Sequence, residues 1–168
     1  ISVQKNELDS ARDLYYKSIE HSDDPGPIMR KLLFVYIDMG DNQKAIDYSN
    51  ELLDKYPNDA NLYYNVGVLY QRLAKDIQIR SKENFNRLNE MDSPPGALIS
   101  QVYSDFREVR KYANNAKDFF YEASDLEKDE NLDTKHAISE MKSAMDQMDD
   151  IFIPSIRKIA KSAGVELN

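Results

Sequence analysis

A chain of 168 residues is long enough for one domain with a sizeable core. Its 30 acidic against 22 basic residues leave a net charge of −8, which argues against a nucleic-acid partner, because phosphates need a basic face. The sequence has no Cys, so disulfides, thiolate catalysis and Cys-based zinc sites are excluded, while the compartment stays open.

Six Pro and five Gly cluster at a few joints and β-branched runs are scarce, so the expected fold class is all-α. The longest apolar run, Leu32–Ile37, is far too short to cross a bilayer. No signal peptide is visible, yet the chain begins at Ile1 without a Met.

From the N-terminus, residues 7–19 (ELDSARDLYYKSI) and 41–53 (DNQKAIDYSNELL) share one arrangement of residue types, with Ala11 and Ala45 lying 34 residues apart. Residues 26–59 form one such unit, with Gly40 in its middle and Pro57 near its end. The next unit opens at Ala60 with ANLYYNVGVLYQRLA. A period of 34 marks a helix–turn–helix repeat whose members bury their apolar faces only by stacking.

These residues resemble the tetratricopeptide repeat (TPR). Unit 26–59 supplies Met29, Leu32, Leu33 and Tyr36 to helix A, then Ala45, Ser49, Leu52 and Pro57 to helix B and its end. The unit from Ala60 supplies Tyr63, Val66, Gly67 and Tyr70. Leu33, where a small residue is usual, and Ser49 and Leu52 in helix B depart from the pattern and imply altered packing within the same fold. In this frame Asn6 falls at a helix A–B turn, as Gly40 does one unit on. The chain then starts partway through a repeat (residues 1–25), with at least half a helix expected upstream.

After Ala74 the frame lapses and returns at residues 115–131, with Ala116, Phe120 and Ala123 at the helix B positions. Ala74 and Ala116 are 42 residues apart where an unbroken repeat would place them five apart, which makes residues 60–130 one repeat interrupted over about 75–115. The insert carries apolar residues spaced by threes and fours: Ile77, Phe85 and Leu88, then Leu98, Val102, Phe106 and Val109. Between these stripes lies MDSPPG, a helix-stopping cluster. The expectation is a long antiparallel helix hairpin turning at Ser93–Gly96. It would project roughly 20 Å beyond the solenoid, with a weak point at Arg80–Ser81.

Residues 131–168 complete the frame as a repeat-like pair. Ala137, Ile138 and Met141 mark a helix A. Ile151, Phe152, Ile156 and Ile159 mark a last helix that ends at Gly164 and caps the stack. Pro154 suits the first turn of that helix. The whole is expected to be a TPR-like right-handed helical solenoid with an extended hairpin and a C-terminal capping helix.

The resemblance implies a concave surface lined by helix A side chains. Carried onto this chain, the partner-binding residues are Arg30, Phe34, Tyr64, Val68, Arg72 and Lys135, with Ile37, Asp38, Asn61, Gln71 and Ser139 beside them. Phe34, Tyr64 and Val68 suit apolar side chains of a protein or peptide, while Arg30, Arg72 and Lys135 suit carboxylates. The bland alternative is a groove filled by the hairpin or the last helix. The carboxylate clamp of chaperone-binding TPR proteins is disfavoured, since beyond Asn65 the required Lys, Asn and Arg set is missing.

No catalytic residue, metal site or cofactor is expected. Asp129, Asn131, Asp133 and Glu140 imitate an EF-hand loop, but Thr134 stands where its sharp turn needs Gly and His136 where an apolar residue is usual. The two histidines, His21 and His136, lie on different units, and no phosphate loop or nucleophile elbow is present. The sequence points to a non-enzymatic interaction module. The alternative is a structural, self-assembling subunit that uses the projecting hairpin and takes no peptide ligand. Similarity to interrupted-TPR proteins of bacterial envelopes favours the periplasm or envelope over the cytoplasm; oligomeric state stays open.

Overall fold

A computed structural model describes residues 2–127 and 131–167. Among these, seven α-helices follow one another: α1 (Ser2–Glu20), α2 (Gly26–Asp38), α3 (Asn42–Lys55), α4 (Ala60–Asn89), α5 (Gly96–Leu126), α6 (Thr134–Gln147) and α7 (Ile153–Ser162). A π-helical segment, Met148–Phe152, joins α6 to α7 without a break. Ile1, Asp129 and Glu130, which entered the frame and EF-hand arguments, lie outside the described residues.

Local chemistry sets the helix boundaries. Gly40 takes φ +71°, the left-handed backbone that favours glycine. Its N–H bonds to the Ile37 carbonyl, and the Asp41 N–H reaches the Tyr36 carbonyl. That pair of bonds closes α2 as a Schellman motif. Asp41 then starts α3 by accepting from the Lys44 N–H at 3.3 Å, and Asp59 starts α4 by accepting from the Leu62 N–H at 3.1 Å. Asn6 does not turn the chain. Residues 2–20 form one helix, in which the Asn6 carbonyl accepts from the Ser10 hydroxyl. Asn only tolerates the turn conformation, and no Gly or Pro stands beside it to stop the helix.

Adjacent helices stack in chain order, giving an all-α, solenoid-like arrangement. A first core runs through α2, α3, the inner half of α4, the inner half of α5 and α6, with Leu32, Leu33, Ala45, Leu52, Leu62 and Phe120 fully buried. Gly67 permits the tightest crossing. A Cβ there would come within 2.6 Å of the Phe120 ring, so α4 and α5 meet at this point only because the side chain is missing.

A second core fills the outer half of the hairpin, and α4 and α5 do not build it alone. Leu88 of α4 and Ile99, Val102 and Phe106 of α5 pack with Met148, Ile153, Ile156 and Ala160. Phe85, Phe106 and Phe152 form an aromatic trio with ring centroids 4.8–5.7 Å apart. The hairpin therefore does not stand out alone, and α7 lies along it instead of covering the end of the stack. Pro154 does sit in the first turn of α7, but no loop precedes it. In an unbroken α-helix its ring would clash with the carbonyl four residues back and its missing N–H would cost a bond. The π-helical segment relieves that conflict: the Ile153 N–H bonds five residues back to the Met148 carbonyl, and the helix runs on.

Ser81, where the apolar stripe lapses, is fully buried and donates to the buried Asp105 carboxylate at 3.0 Å. Gln101 donates to the other oxygen at 2.7 Å. The lapse is a polar pin between the two arms. The far end is fixed by Gly164, at φ +67°, whose motif sends Val165 against the start of α5 at Gly96.

Candidate binding cleft

The exposed faces of α4 and α6 border a cleft of about 660 Å³, floored by Ala74, Val109 and Met141. It follows from the bundle: α5 packs against both helices, which run in the same direction on either side of it. Along α4 the lining advances by helical steps through Val68, Gln71, Arg72, Lys75, Gln78 and Lys82. The α6 wall offers His136, Ser139, Glu140, Ser143 and Gln147. Two side-chain bonds bridge the walls, Gln71 to Glu140 at 2.9 Å and Lys82 to Gln147 at 3.4 Å.

The residues singled out by the repeat frame meet different fates. Val68 and Arg72 line the cleft together with Gln71 and Ser139. The Arg72 guanidinium also reaches Asp38 of α2 at 3.0 Å, an exposed pair tying neighbouring helices. Tyr64 lies farther up the same helix, half-buried, with its ring 5.3 Å from that of Phe120. Burial raises its hydroxyl pKa, and the carboxylates of Asp133 and Glu140 push it the same way.

Phe34 is half-buried against the first core, and Ile37 lies within that core instead of lining a groove. Arg30 is not free for a ligand carboxylate. Its guanidinium pairs with Asp59, the residue that caps α4, and so staples α2 to the start of α4. Lys135 is exposed in the first turn of α6, outside the cleft lining.

Lys75, Gln78, Lys82, Ser143 and Gln147 were missed by sequence reasoning. On α4 the repeat frame lapses after Ala74, where a hairpin is expected to leave the solenoid; on α6 the frame assigns lining to Lys135 and Ser139 and does not reach Ser143 and Gln147. The signal was present in the spacing of Val68, Arg72, Lys75 and Lys82, which continues one helix face past the frame.

Among the described residues, three cations and one carboxylate line the cleft, with amides and hydroxyls between them. His21 and His136 are both exposed, and His136 faces Glu140 at 3.7 Å. Among the described residues no group of His, Asp and Glu is arranged to hold a metal ion. Thr134–Gln147 is helical, so the second half of the EF-hand-like spacing cannot form a calcium loop. No described helix is long and apolar enough to cross a membrane.

Fold and cleft together define a class: an all-α protein of stacked, solenoid-like helices with a groove between two of them. No family model matches the chain, and no solved structure does. Among curated proteins, "Photosystem I assembly protein Ycf3" of the bacterium Prochlorococcus marinus is 25% identical over 103 residues. The match covers 58% of this chain and 60% of that relative, so it is a distant likeness over part of each.

Proposed function

We propose that this chain is a non-enzymatic, TPR-like scaffold that holds a segment of another protein in the cleft between α4 and α6. In this reading residues 26–59 are one repeat, residues 60–130 are a repeat lengthened by the hairpin, and α1 belongs to a partial one. Val68 and Arg72 make the first contacts, Tyr64 and Phe34 extend the surface toward α2, and Lys135 adds charge at the α6 entrance. Arg30 serves by fixing the α2–α4 angle. The cleft carries the reading, because it joins two sequence-predicted residues on a face whose neighbours are stacked helices. The likeness to a relative named as an assembly protein supports a role in bringing proteins together.

Photo-crosslinking from position 68 in native cells tests it. Crosslinks to a second protein are expected, and Arg72→Glu should reduce them without altering the helical circular dichroism. Crosslinks confined to the chain itself would mean that the groove is closed by its own side chains.

A second reading rests on another cleft, of about 810 Å³, where Phe85 and Leu88 of α4 and Met91 just past it line a wall with Ile159 of α7 and Ala163 just past that helix. A self-assembling subunit would use that end of the bundle. A concentration-independent monomer mass by light scattering would remove this alternative.

A further inference from the structure

The part of the cleft that lies beyond the repeat frame differs from the rest. From Ala74 onward α4 is longer than a repeat helix, and the cleft continues beside it. Lys75 and Lys82 supply the charge there, with Gln78 between them and Ser143 and Gln147 opposite. Among the described residues no carboxylate lines this stretch; Glu140, the acid of the cleft, lies at the Gln71 bridge, and Asp38 is engaged with Arg72. Lys75 is exposed, and Lys82 is half-buried with its ammonium 5.2 Å from the centre of the Phe152 ring. Two ammonium groups on one wall are therefore concentrated on a molecule whose net charge is −8.

We infer that the lengthened half of the cleft binds an acidic, extended segment of a partner protein, with Lys75 and Lys82 holding two of its carboxylates. The inference rests on the scaffold reading above and deepens it. Charge complementarity selects the occupant: a segment rich in Asp or Glu gains two charge-assisted bonds, and a basic one meets two ammonium groups. The Gln71–Glu140 and Lys82–Gln147 side-chain bonds cross the cleft at either end of this stretch, and a bound segment displaces them, its peptide groups pairing with the amides of Gln78 and Gln147. Lys75 and Lys82 stand about 10 Å apart along α4, the span of about three extended residues.

The test uses the full chain and a fluorescein-labelled octapeptide of alternating Glu and Thr, with a Gln-for-Glu peptide as its neutral counterpart, read by fluorescence anisotropy. The Glu peptide should bind, weakening as salt is added, and the Gln peptide should bind at least about tenfold more weakly. Lys75→Glu with Lys82→Glu should weaken the Glu peptide by about tenfold or more, whereas Lys111→Glu, on the separate basic face of α5, should leave it unchanged. Circular dichroism of each variant confirms that the helices persist. Equal binding of the two peptides, no binding of either, or an equal loss with Lys111→Glu would each overturn the inference. If crosslinks from position 68 persist while the Glu peptide fails to bind, the scaffold reading stands and the acidic occupant falls.

Discussion

The three N-terminal helices and the long-helix bundle solve the same problem, how to cover apolar helix faces, by opposite means. In α1–α3 the helices are short, connected by tight turns, and each covers its neighbour. In the bundle three helical runs, α4, α5 and α6–α7, lie side by side, and the chain from Thr134 to Ser162 continues through a π-helical segment instead of turning. The two regions share α4 and α5, whose inner halves belong to the first core and outer halves to the second. The outer halves of α4 and α5 are thus covered by a third helical run, which supplies Met148, Ile153, Ile156 and Ala160.

Substitutions that strike one core should break this comparison most clearly. Phe106 is fully buried in the second core, between Phe85 and Phe152. Phe106→Ala should cost about 3–5 kcal/mol in urea unfolding. If the halves are coupled through α4 and α5, all spectroscopic probes should still shift together. At the crossing in the first core, Gly67→Leu should drive its side chain into the Phe120 ring and cost about 1–3 kcal/mol. Ala45→Leu, at the fully buried Ala of α3, should fall in the same range. An unchanged melting temperature in either variant would contradict the packing described here.

The smallest effect concerns pH. Tyr36 and Tyr48, in the N-terminal region, have raised hydroxyl pKa values, that of Tyr36 to about 12, through burial first and then its hydrogen bond with Tyr16. Burial likewise dominates at Tyr48. An unfolded Tyr ionises near 10, so the folded state favours the neutral phenol. Stability from these groups is fully present below about pH 10 and is lost as pH rises from there toward about 12. Tyr48→Phe should flatten that alkaline decline in urea titrations between pH 9 and 12; an identical decline in the variant would remove Tyr48 as its source.

Much of the first region was legible in the sequence. Gly40 is needed for a local reason, its left-handed backbone, which is why the turn it makes could be placed from the sequence. Asn6 misled because Asn permits a turn without compelling one. In the bundle the MDSPPG cluster falls between α4, which ends at Asn89, and α5, which begins at Gly96. The course of the last helix was hidden, because Pro154 signals a helix start and a π-helical segment leaves no mark in composition. Side-chain partners were hidden for another reason. Whether Arg30 faces a ligand or Asp59, and whether Ser81 is a flaw or a pin for Asp105, depends on residues 24–29 positions away. Of the candidate site, Val68 and Arg72 could be placed from the repeat frame, while Lys75 and Lys82 lay beyond its edge.

The central claim is that the outer half of the hairpin is core, shared with α7. Native-state hydrogen exchange on the full chain tests it most directly. Amides of residues 102–109 in α5 and 156–160 in α7 should be protected to a similar degree as those of residues 62–69 in α4, which lie in the first core. Protection that falls steadily from residue 73 toward residue 93, with α7 exchanging fast, would describe a hairpin standing alone and would contradict the account.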